Sequence, residues 1–250
     1  MNQVIAVCEN NVGLITLNNP RIHNAIKMND FELMRSAFLR WKGYKLDAIL
    51  ITGTGKSFCS GLFLDEFDRR SWDKNPISQI CEDIENSDCP VICALNGGAY
   101  GGAVEIALSC DFRIANSQLS LRVPAANLGI HYEPTGLIRA INILGLSMTR
   151  RLFLLGQSIH IEDILRTDFV DFWTEEGETV IEKSKQTLSL LRNNAPLAVA
   201  GMRKTISEIL NNSLDFYSAE KRVEACFNSV DHKEALLAIK EKRPPIFKGL

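Results

Sequence analysis

Apolar and polar positions along the chain fall into two rhythms, short β-rich runs and longer stripes with helical spacing. Residues 4–8 and 12–17 are rich in β-branched and aliphatic side chains and are separated by Glu9-Asn10-Asn11, a turn composition, so they predict a hairpin. Asn18-Asn19-Pro20 ends it. Phe31, Met34, Phe38 and Trp41 then recur at spacings of three and four, which predicts a helix over about 28–42 with one apolar face. The aliphatic run 48–52 reads as a short buried strand. The order repeats with a helix near 77–85, a strand at 91–95, a glycine-rich loop, a helix over 103–109 and a strand at 112–115. Such alternation predicts an α/β chain whose consecutive strands are buried on both faces. After about residue 146 strand signals fade, and 148–155, 178–192, 197–210 and 216–239 read mostly as amphipathic helices. Asn193-Asn194 and Pro196 mark a junction, giving a core over 1–195 and a helical region over 196–250.

Composition narrows the partners. The 250 residues are 46% hydrophobic and 23% charged, enough for a sizeable core and against disorder. A net charge of -2 leaves no broad basic field for nucleic acid or anionic lipid, so an anionic ligand has to be held locally. Seven cysteines form an odd set with no C-x-x-C pair, mostly inside apolar runs, which predicts reduced, buried thiols rather than a disulfide frame. His23, His160 and His232 lack ligand spacing with acidic or cysteine partners, so no metal site is expected. The start MNQVIAVCEN has neither a basic n-region nor a long h-region, and no apolar stretch reaches membrane length; the expectation is a soluble, cytoplasmic protein.

The stretch LITGTGKSFCSG, residues 50–61, contains Gly-Lys-Ser after an aliphatic run, as a P-loop would. A P-loop also needs a glycine five positions before Gly55, where Leu50 stands, and a helix where Phe58-Cys59-Ser60-Gly61 forms another turn signal. Nucleotide hydrolysis is therefore excluded. A second loop, Asn96-Gly97-Gly98-Ala99-Tyr100-Gly101-Gly102, shares the strand–turn–helix design, and its glycines permit positive φ and close approach of a ligand to backbone N–H groups. Either cluster alone is more often a plain tight turn than a ligand loop. Glu105 follows among Val104, Ile106 and Ala107, where a buried carboxylate is costly unless paired or functional.

Taken in order, Leu17-Asn18-Asn19-Pro20, His23-Asn24-Ala25, Leu50-Ile51-Thr52-Gly53, Phe58-Cys59-Ser60-Gly61, Asn96-Gly97, Gly101-Gly102, Glu105 and Cys110-Asp111 resemble the crotonase family, the enoyl-CoA hydratases and isomerases. The resemblance covers about residues 12–170 and returns in the tail at Arg243-Pro244-Pro245-Ile246-Phe247. It implies a ββα spiral core with a C-terminal helical region that packs homotrimers, often paired into hexamers. It also implies an acyl-CoA thioester substrate, with coenzyme A part of that substrate and no separate cofactor. The backbone N–H groups of Leu62 and Gly102 match the oxyanion hole that stabilises a thioester enolate, and such a donor is typically worth about 3 to 4 kcal/mol. CoA contacts are implied at Ala25, Lys56, Ser60, Phe247 and Lys248, the last two toward a neighbouring subunit. For Lys56 plain solvation is the commoner use of an exposed lysine.

The acid–base groups depart from the hydratase pattern. One glutamate of the hydratase pair matches Glu105, but the position of the second is Ala125, which transfers no proton. Glu133, in Asn127-Leu128-Gly129-Ile130-His131-Tyr132-Glu133, resembles the single glutamate of peroxisomal-type enoyl-CoA isomerases, which shifts a double bond from β,γ to α,β. The resemblance thus implies an isomerase working through Glu133, with Glu105 as a second acid–base or water-orienting group and His131 and Tyr132 near the acyl pocket. An acidic residue before Pro134 also suits a helix N-terminus on its own. Enoyl-CoA hydration, decarboxylation or hydrolysis of an acyl-CoA, and a non-catalytic acyl-CoA-binding module motivated by Ala125 and Leu62, stay open. The acyl pocket is expected to draw on 63–72.

Overall fold

Val12–Leu17 (β2) turns alternate residues into the core and pairs antiparallel with Val4–Glu9 (β1), Cys8 opposite Gly13 and Glu9 opposite Val12. Asn10 and Asn11 make the turn with positive φ of 50° and 61°, the left-handed conformation that asparagine tolerates best among non-glycine residues. In the computed structural model, residues 3–63, 65 and 72–250 are described. The large sheet runs β1-β2-β3-β5-β7-β9 with β3 Ala48–Gly53, β5 Val91–Leu95, β7 Phe112–Ala115 and β9 Phe172–Trp173, and every pair beyond the hairpin is parallel. β3 and β5 carry almost unbroken buried aliphatic runs, as strands covered on both faces require.

A smaller parallel sheet, β4 (Ser57–Cys59), β6 (Gly98–Tyr100) and β8 (Leu121–Arg122), adds strands that the sequence does not predict, the first two inside the expected glycine-containing loops. Strands of two or three residues are too short to show a period of two. With them the winding becomes regular. β3-β4 leads to α2 (Pro76–Glu85), β5-β6 to α3 (Gly102–Ser109) and β7-β8 to α4 (Pro134–Leu154), so each turn sets one strand in each sheet before its helix. This is the expected ββα spiral.

The core lies between the sheets and the helices. α1 (Met28–Trp41) buries Phe31, Met34, Phe38 and Trp41, the expected stripe, with Ala37 beside them, each large side chain contributing roughly 1.5–3 kcal/mol. All eight residues of α3 are buried. α4 is longer than the expected 148–155 and breaks its helical geometry at Gly145, φ 75° and ψ 162°. α5 (Ile161–Ile164) is a single turn, and α6 (Val180–Arg192), capped by Thr179 and Glu182, covers the outer face of β5 and β7. α7 (Pro196–Leu210) is anchored by Arg203, which donates to Asp111 and to the carbonyls of Ile84, Glu85 and Ser87.

The helix expected over 216–239 is instead two, α8 (Phe216–Asn228) and α9 (Val230–Glu241). Ser229 divides them: its backbone is extended and its hydroxyl accepts from the His232 N–H, starting a new helix. Five of the seven cysteines are buried, Cys226 is half-buried and Cys8 exposed, all of them free. Among the described residues no helix is long and apolar enough to cross a membrane.

Candidate active site

Two chain segments meet at the ends of β4 and β6. Asn24, left-handed at φ 57° and 2% exposed, donates through Nδ2 to the carbonyls of Thr54, Ser57 and Phe58 at 2.9, 2.9 and 3.1 Å and accepts the Asn19 N–H at 2.8 Å. One amide thus fastens the 19–25 loop to β4. The loop continues as a one-residue parallel bridge: the Ile26 N–H donates to Gly61 and the Phe63 N–H to Ile26. Because successive N–H groups of an extended chain point to opposite sides, the Leu62 N–H faces away from that bridge. Gly61, at φ 87°, carries no side chain because a Cβ would lie 2.7 Å from the Tyr100 oxygen and 3.1 Å from the Gly102 nitrogen. Gly102 opens α3, and an N–H in the first turn of a helix has no intrahelical acceptor. The N–H groups of Leu62 and Gly102 therefore come from adjoining segments.

Glu105 lies one turn into α3 and is 2% exposed. Its Oε1 accepts from Arg139 Nη1 at 2.8 Å. The same guanidinium, reaching in from α4, grips Glu85 with Nε and Nη2 at 2.6 and 2.9 Å. Burial raises the Glu105 pKa above the usual carboxylate range against the pull of Arg139 and the Tyr132 hydroxyl, and the negative charges of Glu133 and Glu85 push the same way as burial. The Tyr132 hydroxyl is buried and interacts with the Glu105 carboxylate, but it closes no hydrogen bond of normal geometry. Its ring stands edge-on to Phe153 with centroids 4.8 Å apart. Gly136 lets α4 come this close: a Cβ there would lie 2.5 Å from the Tyr132 ring and 2.9 Å from Glu105 Oε2.

Glu133 occupies the N-cap position of α4 yet makes no capping hydrogen bond. Its Oε1 instead accepts from Asn75 Nδ2 at 3.2 Å, while Asn75 Oδ1 caps α2 through the Ile77 N–H at 2.9 Å. The side chain thus closes no cap on α4, although its charge stands at the helix N-terminus, where the dipole favours an acidic residue. Ala125, buried, leads into the turn Ala126–Leu128. Glu105, Glu133 and Tyr132 form one cluster; other expected residues sit apart from it. His131 is exposed, its Nδ1 2.7 Å from the Tyr132 carbonyl oxygen. Ser60 donates its N–H and hydroxyl to the His23 and Ile22 carbonyls, at 2.9 and 3.2 Å. Ala25 is half-buried in the same loop and Lys56 is exposed.

The tail is fastened elsewhere: the N–H groups of Lys248 and Gly249 donate to Asp231 at 2.7 and 2.8 Å, and Phe247 is half-buried beside them. Of the 63–72 segment expected to line an acyl pocket, only Phe63, Asp65 and Trp72 are described, and the rest lies outside the described residues. Arg139, Glu85 and Asn75 escape the sequence reading. Their signal is faint: Arg139 falls three residues after Gly136 and four before Ile143, inside an apolar face where a charge needs a buried partner.

A family profile described as enoyl-CoA hydratase/isomerase matches residues 8–250. The chain is 29% identical over 252 residues to a short-chain-enoyl-CoA hydratase of Clostridium acetobutylicum, covering 97% of this chain and 96% of that protein. It is 31% identical over 248 residues to a carnitinyl-CoA dehydratase of Escherichia coli O157:H7, covering 94% of each. The crystal structure of an enoyl-CoA hydratase from Bacillus anthracis superposes with a TM-score of 0.88 at 27% identity over the full length of both chains.

Proposed function

The chain belongs to the enoyl-CoA hydratase/isomerase family, the crotonases, and from that premise we propose that it shifts the double bond of a β,γ-enoyl-CoA into conjugation with the thioester. The Leu62 and Gly102 N–H groups receive the thioester oxygen. Glu133 takes a proton from the α-carbon, the electron pair of that C–H bond delocalises through the carbonyl as a dienolate, and the two N–H groups hold the charge on oxygen. The same carboxylic acid returns its proton at the γ-carbon, which leaves the α,β-enoyl product. Glu105 is the second acid–base group on this reading, a buried carboxylate whose pKa burial raises. The observation that carries it is Glu133, held by Asn75 and electrostatically coupled to Glu105 instead of capping α4.

Hydration is the second reading, favoured by the names of the two relatives and by the interaction between the carboxylates, which suits two groups flanking one water. In either case the nucleotide end of CoA runs along Ala25, Lys56 and Ser60, and residues 196–250 mediate a homotrimer or hexamer that brings Phe247 and Lys248 to a neighbouring site. The deciding test follows the conjugated thioester chromophore. A β,γ-enoyl-CoA should gain it with wild-type protein, with activity down roughly 10²–10⁴-fold in Glu133→Gln. Loss of the chromophore from an α,β-enoyl-CoA, with no gain from the β,γ substrate, would replace isomerisation by hydration. Tight binding without either change would leave decarboxylation, hydrolysis or plain binding.

A further inference from the structure

Glu105 is not held by a simple ion pair. Arg139 lies between two carboxylates and divides its five N–H donors unequally. Glu85 takes Nε and Nη2 in a two-point grip at 2.6 and 2.9 Å, which leaves Nη1 for Glu105 Oε1 at 2.8 Å. The other oxygen, Oε2, lies against Gly136 and the Tyr132 ring, and among the described residues no N–H engages it, the Tyr132 hydroxyl interacting with the carboxylate without closing a hydrogen bond. We infer that Glu85 and Arg139 are positioning residues for Glu105, fixing its Oε1 and presenting Oε2 as the oxygen that carries the proton. The inference rests on the proposed acid–base role of Glu105.

The arrangement separates orientation from charge. A lone arginine against a buried glutamate would orient it but hold it firmly ionised. With Glu85 on the same guanidinium, one of the two carboxylates neutralises it, and the trio keeps a net charge of about -1. Glu105 is then oriented by a hydrogen bond without the full pull of the cation. The groups facing it are Cys81 and Glu85 from α2, Arg139 from α4, and Tyr132 and Glu133 from the loop before α4. Cys81 stays a neutral thiol because burial raises its pKa well above the ordinary range. Removing Glu85 deletes a negative charge and frees the cation, so both effects favour the Glu105 anion. Removing Arg139 does the opposite.

Infrared pH-difference spectroscopy on the purified protein reads this without substrate, the buried Glu105 carboxyl band being assigned by its absence in Glu105→Gln. The Glu105 midpoint should fall by about one pH unit in Glu85→Gln, rise in Arg139→Gln, and lie between wild type and Arg139→Gln in Arg139→Lys, which keeps the charge but not the fork. The acid limb of kcat/KM should move with it. A merely structural role would lower thermal stability and leave the midpoint in place, and an unchanged midpoint in folded Glu85→Gln overturns the inference even if Arg139→Gln does not fold. Should the midpoint move as expected while no enoyl-CoA is turned over, the positioning stands and the isomerase and hydratase readings fall.

Discussion

A carboxylate with almost no solvent contact sets the stability of the fold against the proposed acid–base role of Glu105. Its pKa in the fold lies above that of an exposed glutamate, so its stabilising contribution is complete below the unfolded value and is lost as pH rises through the folded one. Each unit of that difference costs the native state about 1.4 kcal/mol at neutral pH. Glu105→Gln keeps the shape and an oxygen for Arg139 Nη1 but carries no charge. The variant is therefore expected to melt above wild type at pH 7, with the gap closing as pH is lowered toward 4, while activity is lost; thermal scans across that range check it. A variant that melts lower at pH 7 would mean that the Arg139 contact outweighs burial. Glu105 itself is legible in the sequence because an acidic residue amid Val104, Ile106 and Ala107 contradicts its surroundings. Arg139 is not, since its partners lie 34 and 54 positions away and only the winding of the chain brings them together.

Between residues and the fold stand the two loops that deliver the Leu62 and Gly102 N–H groups. Their contact depends on Gly61, which combines a positive φ of 87° with a space too small for a methyl group. Gly61→Ala has to move backbone, because the nearest atom is the Tyr100 carbonyl oxygen at 2.7 Å. The expected outcome is a destabilisation of roughly 1–3 kcal/mol in denaturant titration. If the two N–H groups act on one oxygen, kcat falls by a further 10²–10³-fold, roughly the loss of one donor, with a smaller change in KM. Unchanged kcat in the folded variant would detach Leu62 from the reaction. The strand–turn–helix order around these loops is legible from residue type. The small sheet that unites them is not, because β4, β6 and β8 hold two or three residues each and no periodicity develops. Ser229 gives the opposite lesson: one good N-cap inside the apolar stripe over 216–239 makes two helices of one.

At the scale of the whole molecule the chain is unevenly finished. The spiral buries α3 completely, whereas α8 buries no residue and α9 only Asp231 and Ala238. Phe216, Tyr217, Phe227 and Ile239 stand 73%, 65%, 63% and 74% exposed on these two helices. Aromatic and aliphatic side chains at that density are uncommon on the surface of a monomer and are the reason to expect a contact between chains here. The tail reinforces the geometry, since Asp231, itself buried, holds the Lys248 and Gly249 N–H groups against the start of α9 and keeps 247–250 in a fixed path. Light scattering behind size exclusion is expected to give three or six chains per particle. Phe227→Glu, which places a charge on an exposed aromatic without touching the Glu105 cluster, should shift that mass toward one chain and leave the melting of the spiral largely intact. If Phe247 and Lys248 serve a neighbour's CoA, the same variant should raise KM more than it lowers kcat, since the carboxylates and both backbone donors belong to a single chain. A wild-type particle of one chain would overturn the shared-site reading and leave the exposed face of α8 and α9 to a different partner.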